Sequence, residues 1–76
     1  MHTPTAAVIR LRPDAFAQWA DDEGLASEAA QADRIGVDRA TLSRIRRGVI
    51  APGEQFIAAA LSATGAKFEE LFEVAS

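Results

Sequence analysis

The stretch Gly36-Val37-Asp38-Arg39-Ala40-Thr41-Leu42-Ser43-Arg44-Ile45-Arg46-Arg47-Gly48 decides the fold. Asp38 is suited to cap a helix, because its carboxylate can accept a hydrogen bond from an orphan amide of the first turn. Thr41, three residues on, does not complete a Glu/Gln capping box. Leu42 and Ile45 lie three apart on one face, while Arg39, Ala40, Ser43, Arg44 and Arg47 point elsewhere. Gly48 then offers the left-handed position that commonly closes a helix. The stretch therefore reads as a short helix with one anchored side and one cationic, hydrogen-bonding side.

Working back from it, Ser27 is a second capping residue, with Glu28 in the first turn and Ala29 to Ile35 forming a small-residue helix that stops at Gly36. Ala29, Ala32 and Ile35 mark its expected inner side, and Gln31 and Arg34 its outside or boundary. Two helices joined by a tight glycine turn make the pattern of a helix-turn-helix. Further upstream, Pro13 and Asp14 open a helix that runs to about Glu23, with Phe16, Trp19 and Ala20 as the core stripe. Gly24 ends it and Leu25 folds back as a hydrophobic cap. Residues 1–7 show no period and read as a mobile tail. Val8 to Arg12 alternates in part, as an extended arm does, with Ile9 and Leu11 over the core. The functional alternatives for that arm are a minor-groove contact through Arg10 and Arg12, or a ribbon shared with a second subunit.

Downstream of Gly48, a loop containing Pro52 and Gly53 is expected to tuck Val49 and Ile50 into the core. A helix from about Gly53 to Thr64 follows, striped by Phe56, Ile57, Ala60, Leu61 and Thr64, and ends at Gly65. Phe68, Leu71 and Phe72 fall at i, i+3, i+4 and predict a fifth short helix. The expected fold class is all-α: a compact five-helix domain over 13–76, preceded by a short extended N-terminal arm over 1–12.

Seventy-six residues suffice for one core, and a chain of this size buries only about 60% of its unfolded surface. Cysteine is absent, so apolar periodicity has to hold the domain together. No stretch approaches the roughly 20 apolar residues of a membrane helix and the N-terminus has no signal pattern, which predicts a cytoplasmic protein. The net charge of −3 disguises an uneven distribution. Five of the eight basic residues (Arg34, Arg39, Arg44, Arg46, Arg47) fall between 34 and 47, and most acids lie outside that window. Such a basic centre favours an oriented electrostatic face. Enzymatic chemistry finds no support: the one histidine is His2, and neither a phosphate-cradling loop nor a metal-ligand spacing occurs. The adjacent pairs Asp21-Asp22 and Glu69-Glu70 diverge on a helix and read as solvated faces. No cofactor and no metal are expected.

A helix in a major groove presents short polar or basic side chains near its N-terminal half and is held by a partner helix on the backbone. Arg39 can pair with guanine N7 and O6, Ala40 and Thr41 can offer methyl groups to thymine, Ser43 can bond either base type, and Arg44 shares a face with Ala40. Arg46 and Arg47, near the helix end, point to phosphates. The amides around Ser27 to Ala29 are a further anion site, against which Glu28 argues mildly. For any single arginine a solvated i,i+4 partner of Asp33 or Asp38 is the simpler reading, but four in one short helix favour a groove.

Between Gly24 and Phe72 the chain resembles the Cro/lambda-repressor-like helix-turn-helix family of bacterial and phage regulators. The resemblance rests on Ser27 with Ala32, Gly36-Val37, Thr41-Leu42-Ser43-Arg44-Ile45, Arg47-Gly48, Pro52 and Phe68-Glu69-Glu70-Leu71-Phe72. It implies a five-helix domain that binds double-stranded operator DNA, usually as a homodimer on an inverted repeat, and acts as a repressor-like regulator. By that likeness Asp38, Arg39, Ala40, Ser43 and Arg44 face bases. Ser27, Glu28, Thr41, Arg46 and Arg47 make up the expected phosphate side.

Three departures from the family pattern stand out. Glu28 replaces a usual glutamine after the helix cap, and Arg46 replaces a glutamate that normally pairs with an arginine of the first helix. A charge-reversed pair of Arg46 with Asp21, Asp22 or Glu23 is the resulting expectation. An extra residue before Ser27 places Gln31 at a usually apolar site. Dimerisation is expected through Phe68, Phe72 and Val74 with the loop after Gly48, or through the arm at Val8 to Leu11, and no small-molecule ligand domain is foreseen. The competing class is a helical protein-interaction module of antitoxin-like or antirepressor type, motivated by the acidic total.

Overall fold

The structure is a computed structural model and describes residues 7–75, so most of the expected tail, including His2, lies outside the described residues. In chain order the elements are β1 (Val8–Leu11), α1 (Pro13–Asp22), α2 (Glu28–Ile35), α3 (Arg39–Arg46), α4 (Glu54–Thr64), α5 (Phe68–Leu71) and β2 (Phe72–Ala75). Local chemistry sets most of the boundaries. Arg12 precedes a proline and is held extended, and Pro13 opens α1 at a position where no amide is needed. Ser27 Oγ accepts from the Ala30 amide at 3.0 Å and Asp38 Oδ2 from the Thr41 amide at 3.1 Å, so both expected caps form. Between α2 and α3, Gly36 at φ 87° turns the chain while the Val37 amide donates back to Ala32 O.

The all-α expectation is overturned at the two ends of the chain. β1 and β2 form a two-stranded antiparallel sheet in which Val8, Ile9, Arg10 and Leu11 oppose Ala75, Val74, Glu73 and Phe72. The N-terminal segment is thus a strand of the same domain, and the fifth helix stops after one turn. Continuing α5 would add only a few residues to a costly nucleus and place Glu73 at the negative end of the helix. As a strand, the same residues complete the otherwise unpaired hydrogen-bonding edge of β1. Arg12 locks the junction: its amide donates to Leu71 O at 2.8 Å, its Nε to Glu69 O and Phe72 O at 3.1 Å each, and Nη1 lies 3.5 Å from Glu73.

One core joins the elements, built from Leu11, Phe16, Ala32, Ile35, Leu42, Ile45, Phe56, Ala60, Leu71 and Phe72. Phe72 is fully buried, stacked on Phe68 at 5.3 Å between ring centroids and edge-on to Phe56 at 6.3 Å. It therefore belongs to the domain's own core and not to a subunit contact. Trp19 is half-buried against Phe16. Two further expectations fail. Val49 and Ile50 are 63% and 41% exposed, because the turn at Gly48 directs them outward and Pro52 takes the buried place in the loop. Ala29 is exposed too, for α2 buries Gln31, Ala32 and Ile35 and leaves Glu28 half-buried on the same face. Among the described residues no helix is long and apolar enough to cross a membrane.

Candidate nucleic-acid interface

α3 is anchored by Leu42 and Ile45, which are 0% and 4% exposed. At about 100° per residue, Arg39, Ser43, Arg47, Ala40 and Arg44 fall within roughly 140° of arc on the side away from that anchor. Arg39, Ala40, Arg44 and Arg47 are exposed and Ser43 is half-buried. Ion pairs among the described residues engage Arg12, Arg34 and Arg46, leaving Arg10 on β1 and Arg39, Arg44 and Arg47 on this arc without one. Arg47 Nε donates to Ser43 O at 3.3 Å, which ties that exposed side chain to the end of the helix. The arc is a cationic, hydrogen-bond-donating surface on a helix fixed from behind.

Asp38 sits at the start of this arc. Its Oδ2 is occupied by the cap and by the Thr41 hydroxyl at 3.5 Å, so part of its charge is spent on the amides of the first turn. Ser27 occupies the equivalent place on α2, exposed, with its hydroxyl oxygen accepting in the cap and its proton free to donate outward.

Two residues expected on the phosphate side are turned elsewhere. Arg46 Nη1 lies 3.0 Å from Glu28 Oε2 and 3.5 Å from Gln31 Oε1, and its guanidinium carbon is 5.8 Å from the centre of the Phe16 ring. Glu28 and Arg46 are each only 32% exposed at the side chain. The partner of Arg46 is thus Glu28 of α2, not Asp21, Asp22 or Glu23 of the first helix region. Glu23 instead holds Arg34 at 2.7 Å. Buried Gln31 completes the junction by donating Nε2 to Leu25 O at 3.0 Å. This cluster ties α1, α2 and α3 together beneath the exposed arc, and it is legible in hindsight: Arg46 is one turn beyond Leu42, on the flank of the buried stripe.

Comparison with family models, curated proteins and solved structures finds no match to this chain.

Proposed function

We propose that the chain is a Cro/lambda-repressor-like, sequence-specific double-stranded DNA-binding regulator, acting in the cytoplasm and without catalytic activity, that presents α3 to the major groove. The observation that carries this reading is the outward arc of α3: three arginines without ion-pair partners among the described residues, on a helix held by Leu42 and Ile45, in a chain of net charge −3. The helix dipole accounts for cations in the last turn, at Arg44 and Arg47, but not for Arg39 at the first position of α3, and the three together make an exposed cationic face suited to an anion. Arg39, Ala40, Ser43 and Arg44, with Asp38 at the cap, are the base-facing set. Ser27, Thr41 and Arg47 take phosphates, whereas Glu28 and Arg46 are left to each other.

A single short helix reads few base pairs, so we assign a homodimer on an inverted repeat with half-sites about 34 Å apart. Val8, Val49 and Ile50, which line one cleft of about 270 Å³, and the expected contact residue Val74, 65% exposed on β2, are the exposed apolar residues available for it. Selection of bound sequences from a random duplex pool, followed by a salt series on the winners, tests both points. An inverted repeat bound with affinity falling steeply with salt is expected. Arg39→Ala and Arg44→Ala should each weaken the selected site by about 1 to 3 kcal/mol and relax the preference at one position. Flat or absent binding assigns the chain to the protein-interaction class instead.

A further inference from the structure

The two arginines of the N-terminal segment have different fates. Arg12 is consumed by Glu69 O, Phe72 O and Glu73. Arg10 stands directly opposite Glu73 in the strand register, yet the Glu73 carboxylate pairs with Arg12, and among the described residues Arg10 has neither an ion pair nor a side-chain hydrogen bond. Its guanidinium reaches across to the turn that ends α3: Nη2 is 3.2 Å from where a Cβ on Gly48 would stand. A cation at a helix C-terminus is ordinarily explained by free carbonyls. Here the Gly48 amide already donates to Ile45 O and the Val49 amide to Arg44 O, so two of the last carbonyls are occupied by backbone. Arg10 is exposed, and with Arg46, Arg47, Gly48 and Glu73 it lines a cleft of about 250 Å³. That is more than ten times the roughly 10 to 15 Å³ one water needs on the same measure, room enough for a phosphate group.

We propose that Arg10 and Arg47 clasp one backbone phosphate of the bound duplex at the C-terminal end of α3, so that β1 supplies part of the DNA interface. The inference rests on the DNA-binding reading above and adds to it a contact from a second element. Arg46 lies at the cleft wall but is held by Glu28, and Glu73 is held by Arg12, which leaves Arg10 and Arg47 as the two guanidiniums available to the anion. Gly48 at φ 75° keeps the floor open, since any side chain there would crowd Arg10. A phosphate contact positions the protein without reading sequence.

The test is duplex binding by fluorescence anisotropy from 50 to 200 mM salt for the full chain and for Arg10→Gln and Arg10→Lys, each with a melting temperature. One lost phosphate contact lowers the salt slope by about 0.9, so the advantage of the unmodified chain over Arg10→Gln should shrink about 3.5-fold across that fourfold salt range. The loss is expected to be equal on all duplex sequences, with Arg10→Lys retaining the slope and neither variant changing the melting temperature. An Arg10→Gln slope identical to that of the unmodified chain overturns the clasp while leaving DNA binding intact. So does a loss confined to one sequence, a lysine variant that falls with the glutamine one, or a drop in melting temperature with no change in slope. An unmodified chain that shows no salt-dependent binding defeats the DNA-binding reading itself, and the clasp with it.

Discussion

Replacing Arg46 with alanine separates the interior of the helical assembly from its proposed interface. The substitution removes an ion pair to Glu28, a hydrogen bond to Gln31 and a cation–π contact with Phe16. Both charged side chains are 32% exposed, so the pair lies nearer to surface pairs of about 0.2 to 1 kcal/mol than to buried ones, whose disruption costs about 3 to 5 kcal/mol. About 1 kcal/mol is a fair share for it. The contact with Phe16 adds about 0.5 to 1 kcal/mol, and the loss of the arginine stem adds to that. A total near 2 kcal/mol in a domain of this size corresponds to a fall in melting temperature of roughly 8 to 16 °C. Circular dichroism melts measure it directly, and a double-mutant cycle with Glu28→Ala should return a coupling of about 1 kcal/mol. Duplex binding by Arg46→Ala, measured well below its melt, should keep the salt slope of the unmodified chain. If the variant instead melts normally and its slope drops by about 0.9, Arg46 touches a phosphate and the inward assignment is refuted.

Two further outcomes follow from the caps and the sheet. Asp38→Ala should destabilise the domain by about 1 kcal/mol through loss of the bond to the Thr41 amide, whereas Asp38→Asn should retain stability and tighten duplex binding by removing a negative charge; thermal melts paired with anisotropy distinguish the two effects. Arg12→Ala removes a guanidinium bonded to two carbonyls and close to Glu73, and should open the two-stranded sheet first: hydrogen exchange is expected to lose protection in β1 and β2 while α2 and α3 keep theirs, and uniform loss across the domain would contradict this.

What the sequence made legible was whatever short-range chemistry decides. Ser27 and Asp38 cap because the acceptor and the amide are three residues apart, and Leu42 with Ile45 or Phe56 with Ala60 are buried because helical period alone aligns them. The face of α2 was not legible in the same way. Glu28 and Gln31 look like surface residues until Arg46, 18 residues beyond Glu28 and on another helix, gives them a partner. Apolar character misled in the opposite direction at Val49 and Ile50. A turn fixes where a side chain points, and hydropathy carries no information about that direction.

The C-terminal segment shows the same limit most clearly, since Phe68, Leu71 and Phe72 satisfy a helical stripe that the chain uses for only one turn. Phe72 is fully buried as a strand residue, so its place in the core does not require the helix to continue. The choice comes from the far end of the chain, where Val8–Leu11 presents a hydrogen-bonding edge and Arg12 gathers the carbonyls of Glu69 and Phe72. That pairing has a consequence for the proposed interface. β1 is held along its length by β2 and reaches the end of α3 through Arg10 over Gly48, so the sheet sets how a cation outside the two helices stands relative to the proposed recognition surface. A strand that reads locally as an optional arm thereby becomes part of the frame against which α3 is presented.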